Sequence, residues 1–304
     1  MHRPTEEYAR PMNMDEEFLQ VCNLSVRLSR VALNRFDVGV VFAQIICAIS
    51  AVVNIAAIVV IASTKELQKR QNIFTCSLAF SDGIFALGSL ATLLRQEDQS
   101  VFCLVMFVIT DISVTVSLLT IGFIALERFI VIVWKPFERD KISTKTIVIL
   151  CIFNWMLSTS VSLPGYIADF TAETYLTKPS LITGVIVILI ILYIAIYWRV
   201  RQHELKMKAI KCKRKKVNSD RLFVTFSIIL GIFALCWLPY CMVMIFDNYM
   251  VYNHCDKELT LLYMVGYELI LINSLTNPFL YLLRITEFRN ASFRLFTCRK
   301  RTSF

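Results

Sequence analysis

The sequence predicts an all-α protein: a seven-transmembrane helix bundle followed by a short amphipathic helix. Its residues are 57% hydrophobic and only 18% charged, whereas ordinary soluble domains are less apolar and more charged. The apolar residues fall into seven blocks, and each is close to the length of about 20 residues that a helix needs to cross a bilayer. Polar and basic residues separate the blocks. The chain is therefore divided by membrane crossings and not by soluble domains.

Three regions follow from this pattern. Residues 1–36 are polar and mixed in charge, and we expect them to form an extracellular N-terminal tail. They contain a sequon at Asn23, which is glycosylated only on the extracellular or luminal side. Residues 37–284 hold the seven crossings. Residues 285–304 alternate basic and aromatic positions at helical spacing, which predicts an amphipathic helix on the membrane surface and a cytoplasmic tail.

The basic residues set the predicted orientation. Most of the 32 lysines and arginines lie at the inner ends of the first, third and fifth crossings and in the tail. Loops rich in lysine and arginine stay in the cytoplasm, so the N-terminus should be extracellular. These loops also account for the net charge of +9. Their position favours contact with anionic membrane lipids over binding of nucleic acid.

The third crossing, which begins at Cys103, carries polar residues that a simple anchor does not need. Asp111 lies inside it, and Glu127 and Arg128 stand at its inner end. Four hydroxyl residues recur along one helical face: Thr110, Ser113, Ser117 and Thr120. Polar residues within a membrane face protein or water and not lipid. We therefore expect this helix to be buried in the bundle.

Two other classes of membrane protein fit the sequence less well. A transporter should show an internal repeat and broken helices in matching halves, and the sequence has neither. An enzyme would need a nucleophile with its base, or a metal cluster, at one site. The 3 histidines lie outside the crossings, and the 10 cysteines form no CxxC pair. We therefore expect neither an enzyme nor a metal centre of the Cys/His type.

Motifs in the crossings, taken in order, resemble those of the rhodopsin-like (class A) G-protein-coupled receptors. The matching positions are Asn54, residues 78–82 (LAFSD), Cys103, residues 127–129 (ERF), Trp155, Tyr193, Phe233, residues 236–239 (CWLP), Asn273, Ser274 and residues 277–281 (NPFLY). The resemblance implies a plasma-membrane receptor that binds an extracellular ligand and activates heterotrimeric G proteins. A decoy or scaffolding receptor that binds without signalling is the alternative.

The resemblance also implies an allosteric sodium ion as the one bound cofactor. The five positions are Asp82, Ser117, Asn273, Ser274 and Asn277. A carboxylate in the middle of a membrane is costly unless it is paired. Hydroxyl and amide oxygens beside a carboxylate suit a hard cation. The alternative is a water-filled hydrogen-bond network around a protonated Asp82.

An activation switch is implied by the same resemblance. Arg128 would pair with Glu127 at rest and turn towards Tyr193 in the active state, while a helix kinked by Pro239 would swing outwards. The full set is Glu127, Arg128, Tyr193, Phe233, Trp237, Pro239, Asn277, Pro278 and Tyr281. Ser219 occupies the place of the acid that often locks this arginine, with Asp220 next to it, which permits some ligand-free activity.

The sequence indicates the ligand less clearly than it indicates the fold. The predicted pocket residues are Phe107, Thr110, Asp111, Trp237, Tyr240, Tyr263, Tyr267 and Glu268. The two acids, Asp111 and Glu268, favour a cationic ligand such as an amine or a basic peptide. The alternative for Asp111 is a bond to a neighbouring helix. Leu271 stands where opsins carry the lysine that links retinal, which disfavours an opsin.

Two departures from the family pattern resemble its melanocortin, lysophospholipid and cannabinoid branch and favour a lipid ligand instead. The second outer loop, residues 168–180, has no cysteine, and no proline lies between Pro179 and Tyr193. The disulfide candidates are Cys22, Cys103 and Cys255, which allow three pairings. Parts of that branch imply the pairing of Cys22 with Cys255.

The tail offers one modification site and few phosphorylation sites. Cys298 lies beside basic residues and is a candidate for palmitoylation, an unmodified thiol being the alternative. Serines and threonines are few there. Receptor kinases and arrestin are candidate partners, and we expect arrestin binding to be weak.

Overall fold

The computed structural model describes residues 37–94, 101–134, 143–164, 172–209, 231–242, 245, 257–284 and 286–296. Within these ranges the chain is helical and contains no strand. The helices are α1 (Asp37–Ser63), α2 (Ile73–Leu94), α3 (Val101–Phe129), α4 (Thr144–Ser162), α5 (Ala172–Ala209), α6 (Gly231–Met242), α7 (Lys257–Arg284) and α8 (Thr286–Phe296). A π-helical segment, Ile130–Trp134, continues α3.

Five of the described helices, α1 to α5, are long and apolar enough to cross a membrane by themselves. The described part of α6 is shorter and also apolar. The chain turns by 98° between Val265–Leu282, which belongs to α7, and Glu287–Leu295, which belongs to α8. This order of helices agrees with the predicted bundle of crossings followed by an amphipathic helix.

The outer surface of the bundle is apolar, as α1 illustrates. Its exposed apolar side chains recur mostly every three or four residues: Val41, Phe42, Ile45, Ile49, Val52, Ile55 and Val59. A stripe of this length is unfavourable in water and suits contact with lipid. The polar residues Ser50 and Asn54 of the same helix are fully buried. The helix therefore places its apolar side outwards and its polar side inwards.

The centre of the bundle is α3, which packs against α2, α4 and α5. The four hydroxyl residues predicted to share a buried face are all buried: Thr110, Ser113, Ser117 and Thr120. The main core surrounds Trp237 and draws side chains from every described helix except α4 and α8. A second core joins α8 to α1 and α2 through Phe288 and Ala291. We call the end of the bundle that holds α8 and Arg128 the Arg128 end, and the opposite one the Asp111 end.

The fifth helix is longer than predicted. The sequence pattern places the fifth crossing at about residues 181–198, after a short loop, whereas α5 begins at Ala172 and ends at Ala209. Pro179 lies inside it, and the Thr183 hydroxyl donates to the Pro179 carbonyl at 2.8 Å. Beyond Trp198 the residues are mostly arginine, lysine, glutamate, glutamine and other good helix formers. A prediction based on apolar residues alone therefore begins this helix too late and ends it too early.

Helices α6 and α7 approach each other closely at Gly266. A Cβ atom added there would lie 3.1 Å from the Tyr240 Cα and 3.3 Å from its backbone nitrogen. Backbone atoms cannot rotate away as a side chain can. Small residues of this kind let membrane helices pack closely.

Replacing Gly266 with alanine should therefore force α6 and α7 apart. We expect Gly266→Ala to lower the free energy of unfolding by about 1–3 kcal/mol, the usual cost of overpacking. A Cβ atom at Gly184 would meet nothing within 4 Å, so Gly184→Ala is the matched control. It should be neutral or stabilising because alanine favours helix. Thermal unfolding of the purified protein checks both, and equal losses would contradict the close contact.

Candidate functional site

A buried polar network joins three helices around Asp82, whose side chain is 1% exposed. Its Oδ1 atom accepts a hydrogen bond from the Ser117 hydroxyl of α3 at 2.8 Å. Its Oδ2 atom accepts one from the Asn277 side-chain amide of α7 at 2.7 Å. The structure thus brings three of the five predicted sodium residues into direct contact.

The network continues to α1 through Ser50, which was not among the predicted sodium residues. The Ser274 hydroxyl lies 3.1 Å from the Ser50 hydroxyl and donates to the Asp82 carbonyl at 3.4 Å. The Asn54 amide donates to the carbonyls of Ser50 and Ser274 at 2.9 and 3.3 Å. Ser50 lies one helical turn from Asn54, which is the signal that could have revealed it. Asn273 is buried in the same helix.

These groups fit a small hard cation. The Asp82 carboxylate has lone pairs beyond the two already used, and the Ser117 and Ser274 hydroxyls add oxygens. The Asn54 Oδ1 atom is buried, and among the described residues it has no hydrogen-bond partner, which is the kind of oxygen that a cation or a water satisfies. Asn277 now offers its N–H group to Asp82, so its amide would have to turn over before its oxygen could serve as a ligand.

At the Arg128 end the predicted resting pair is present as a loose contact. The Nε atom of Arg128 lies 3.8 Å from Oε2 of Glu127, and the arginine side chain is 32% exposed. Tyr193 is half-buried and packs against the main core. The Tyr281 ring packs against Phe288 of α8, with centroids 6.0 Å apart. Its buried hydroxyl has no hydrogen-bond partner in the described part of the chain.

Trp237 links the main core to a small cleft at the Asp111 end. Its side chain is 2% exposed, and its ring centroid lies 5.8 Å from that of Phe233. Pro239 follows two residues later within α6. The cleft is lined by Asp111, Val114, Thr115, Leu118, Lys178, Leu181, Ile182, Trp237 and Tyr240. Its volume of about 20 Å³ has room for about one water molecule.

An ion pair forms part of the wall of this cleft. Nζ of Lys178 lies 2.5 Å from Oδ2 of Asp111, and the two side chains are 23% and 13% exposed. Asp111 therefore bonds a neighbouring helix and lines the cleft at the same time. Lys178 was not among the predicted pocket residues, because residues 168–180 were predicted to form a loop. A lysine one residue before Pro179 carries no separate signal of pairing.

The structure brings three of the eight predicted pocket residues to the cleft: Asp111, Trp237 and Tyr240. Thr110 faces α2 instead, where a Cβ atom on Gly88 would lie 2.5 Å from the threonine methyl group. The Tyr267 hydroxyl donates to Ser89 of α2 at 2.7 Å. Phe107 and Glu268 are partly buried and do not line this cleft. Tyr263 belongs to α7, but its side chain lies outside the described residues.

Several other predictions fall outside the described residues. These concern Cys22, Asn23, Ser219, Cys255 and Cys298. Cys103 is buried near the start of α3, and both of its candidate partners are among the residues outside. The disulfide pairing, the glycosylation and the palmitoylation therefore stay predictions.

Comparison with known proteins identifies the family. Residues 53–175 and 168–281 match the family described as 7 transmembrane receptor (rhodopsin family). Cannabinoid receptor 1 of Xenopus laevis is 25% identical over 284 residues, which cover 80% of this chain and 59% of that receptor. The Gq-coupled rhodopsin of Mizuhopecten yessoensis is 24% identical over 291 residues, which cover 81% and 58%.

The chain spans just under three fifths of the length of these two relatives. The family match covers most of the chain, from the middle of α1 to the end of the NPFLY motif in α7. It confirms the predicted seven-helix fold of a multi-pass membrane protein. The protein belongs to the rhodopsin-like (class A) family of G-protein-coupled receptors.

Proposed function

We propose that this receptor binds an extracellular ligand in the cleft between α3, α5 and α6 and activates heterotrimeric G proteins at its Arg128 end. The orientation follows the positive loops, with the N-terminus outside the plasma membrane. The observation that carries the proposal is the position of Trp237. It lines the cleft and also packs within the main core, so a ligand that moves this ring must also disturb the packing below it.

The proposed mechanism is a shift between two arrangements of the bundle. A ligand that binds one arrangement more tightly raises its population. Pro239 weakens the backbone ladder of α6 beside Trp237, which makes that helix the natural one to move. At the Arg128 end the pair with Glu127 holds the resting state only weakly, because its nitrogen and oxygen atoms are 3.8 Å apart, which is beyond hydrogen-bond distance. Arg128 can then separate from Glu127 and contact the G protein.

Tyr281 supports the same picture. A buried hydroxyl without a hydrogen bond is unfavourable, and the Tyr281 hydroxyl has no partner within the described residues. We propose that it gains one when α7 turns near Pro278 during activation. A buried group that lacks a hydrogen bond in one state and gains one in the other favours the second state.

We also propose that Asp82, Ser117, Ser274 and Asn277 hold a sodium ion in the resting receptor, with Asn273 near the site. Bound sodium supplies a positive charge that compensates the buried carboxylate. The Asp82 side chain already bonds both α3 and α7. A filled site would therefore hold these helices in the resting arrangement, and loss of the ion would loosen them.

The ligand class favoured by the cleft is amphiphilic and lipid-like, and a simple amine or basic peptide fits less well. Lys178 already neutralises the charge of Asp111. This pairing weakens the prediction that Asp111 and Glu268 together favour a cationic ligand. Most of the cleft wall is apolar, with Val114, Leu118, Leu181 and Ile182. The cannabinoid receptor among the relatives is consistent with this choice.

Cells that express the receptor test the proposal when they are given small panels of amines, peptides and lysolipids. We expect G-protein activation above untransfected cells without ligand and a further rise with one lipid. The non-signalling decoy is favoured if surface expression is confirmed and no G-protein class responds under any condition. A response to amines alone would overturn the ligand class but keep the receptor function.

A further inference from the structure

One side of α4 is polar and buried, and the function proposed above makes no use of it. Asn154, Ser158 and Ser162 recur every four residues and therefore share one face of the helix. Each is no more than 1% exposed, whereas Ile149 and Met156 of the same helix lie on the outer surface. Asn154 and Ser162 bond α3, and Ser158 makes no hydrogen bond to a residue in the described ranges. Hydrogen bonds to α3 therefore help to attach α4 to the centre of the bundle.

Asn154 makes two of these hydrogen bonds. Its side-chain amide donates to the Val116 carbonyl at 3.1 Å and to the Thr120 hydroxyl at 2.9 Å. The Thr120 hydroxyl donates in turn to the same Val116 carbonyl, at 2.6 Å. Both Val116 and Thr120 are buried, so water does not compete for these groups. Two side-chain donors, one from each helix, thus converge on one carbonyl group of α3.

This carbonyl belongs to the peptide unit that joins Val116 to Ser117. A peptide unit is planar and rigid, so a hydrogen bond that holds its oxygen also restrains the Cα atom of Ser117. The Ser117 hydroxyl donates to Oδ1 of Asp82 at 2.8 Å. Bonds of this kind form at about 2.5–3.0 Å, so a displacement of Ser117 by about 0.5 Å would weaken the contact. The contact with Asp82 therefore depends on how firmly this part of α3 is held.

We propose that Asn154 is a positioning residue for the Asp82 site: its amide fixes the backbone of α3 so that the Ser117 hydroxyl meets the carboxylate. Asn154 acts through Ser117 and not by bonding the carboxylate itself. One of the two tests below rests on the proposed sodium site, and the other rests on the hydrogen bonds alone. If Asn154 served only to attach α4, its loss would lower stability without changing the affinity for sodium.

Sodium titrations separate these two roles. The measured quantity is the sodium chloride concentration that gives half of the maximal rise in unfolding temperature, with choline chloride keeping the ionic strength constant. Asn154→Ala should raise this concentration at least about threefold, because Ser117 is then less well placed. Ser162→Ala is the matched control. It removes a different hydrogen bond between the same helices, to Thr115 at 3.2 Å, and should leave the concentration unchanged.

The Ser117→Ala background tests whether Asn154 acts through Ser117. Ser117→Ala should itself raise the half-maximal sodium concentration, and adding Asn154→Ala should cause no further rise because no hydroxyl is left to position. Asn154→Thr replaces Asn154→Ala if the alanine variant does not fold, since the hydroxyl of a helical threonine tends to bond its own helix. The inference is wrong if Asn154→Ala keeps the wild-type value, or if its effect is equally large in the Ser117→Ala background.

A second measurement, in choline chloride without sodium, tests the inference even if the wild type shows no response to sodium and the proposed sodium site is wrong. The losses in unfolding temperature caused by Asn154→Ala and Ser117→Ala should together exceed the loss in the double variant, because both changes weaken the same contact. The losses caused by Ser162→Ala and Ser117→Ala should simply add. Additive losses for both pairs would overturn the inference independently of sodium.

Discussion

Replacing Trp237 with alanine is expected to lower the free energy of unfolding by about 3–5 kcal/mol, the range seen when a large aromatic is removed from a packed core. The side chain is 2% exposed and packs against residues of the main core, including Phe233. Lipid cannot fill the space that it leaves, because that space lies inside the bundle. The side chains around the cavity would lose their dispersion attraction to the indole ring, which adds to the lost transfer free energy of the ring itself. Thermal unfolding of the purified receptor measures it.

The matched control for this change is Trp198→Ala in α5. Trp198 is 61% exposed, so its removal leaves no enclosed cavity. We expect a loss below about 0.5 kcal/mol, which is usual for surface positions. Similar losses at Trp198 and Trp237 would show that Trp237 does not have the central packing role assigned to it.

Replacing Asp82 with asparagine is expected to abolish the dependence of receptor stability on sodium. The wild type should unfold at a higher temperature in sodium chloride than in choline chloride of equal ionic strength. A ligand present at about 100 times its dissociation constant stabilises the folded state by about 2.7 kcal/mol. The Asp82→Asn variant would keep the shape of the side chain but lose the charge that attracts the cation.

Asp111→Asn controls for the loss of a carboxylate elsewhere in the bundle. Asp111 bonds Lys178 at the other site, so its variant should respond to sodium as the wild type does. A sodium response that survives in Asp82→Asn would favour the water-filled network over the ion. Loss of the response in Asp111→Asn would indicate that sodium acts through general effects of charge.

The fold and the polar network were largely predictable from the sequence, because both depend on local patterns. Apolar blocks of membrane-spanning length identify the helices. Asp82 and Asn277 stand out because polar residues inside such blocks must face one another. Their grouping with Ser117 was therefore foreseeable, although the hydrogen bonds of Ser50 required the packing of α1 against α7.

The cleft was much less predictable, because it depends on where separate helices meet. Lys178 pairs with a residue 67 positions earlier, and its own helix was predicted to begin after it. Thr110 occupies a family pocket position, yet the close approach of Gly88 draws it towards α2. Neither outcome follows from hydropathy or spacing. They depend on helix rotation and on the small residues that allow close contact.

Nucleotide exchange on purified heterotrimeric G proteins tests the central claim most directly. The purified receptor should accelerate exchange, and Arg128→Ala should reduce the rate by at least about tenfold, or about 1.4 kcal/mol in the barrier. Arg289→Ala, at an exposed position of α8, is the matched control and should retain the wild-type rate. Exchange that is equally fast with Arg128→Ala, or absent with a folded wild type for every G-protein class, would contradict the account.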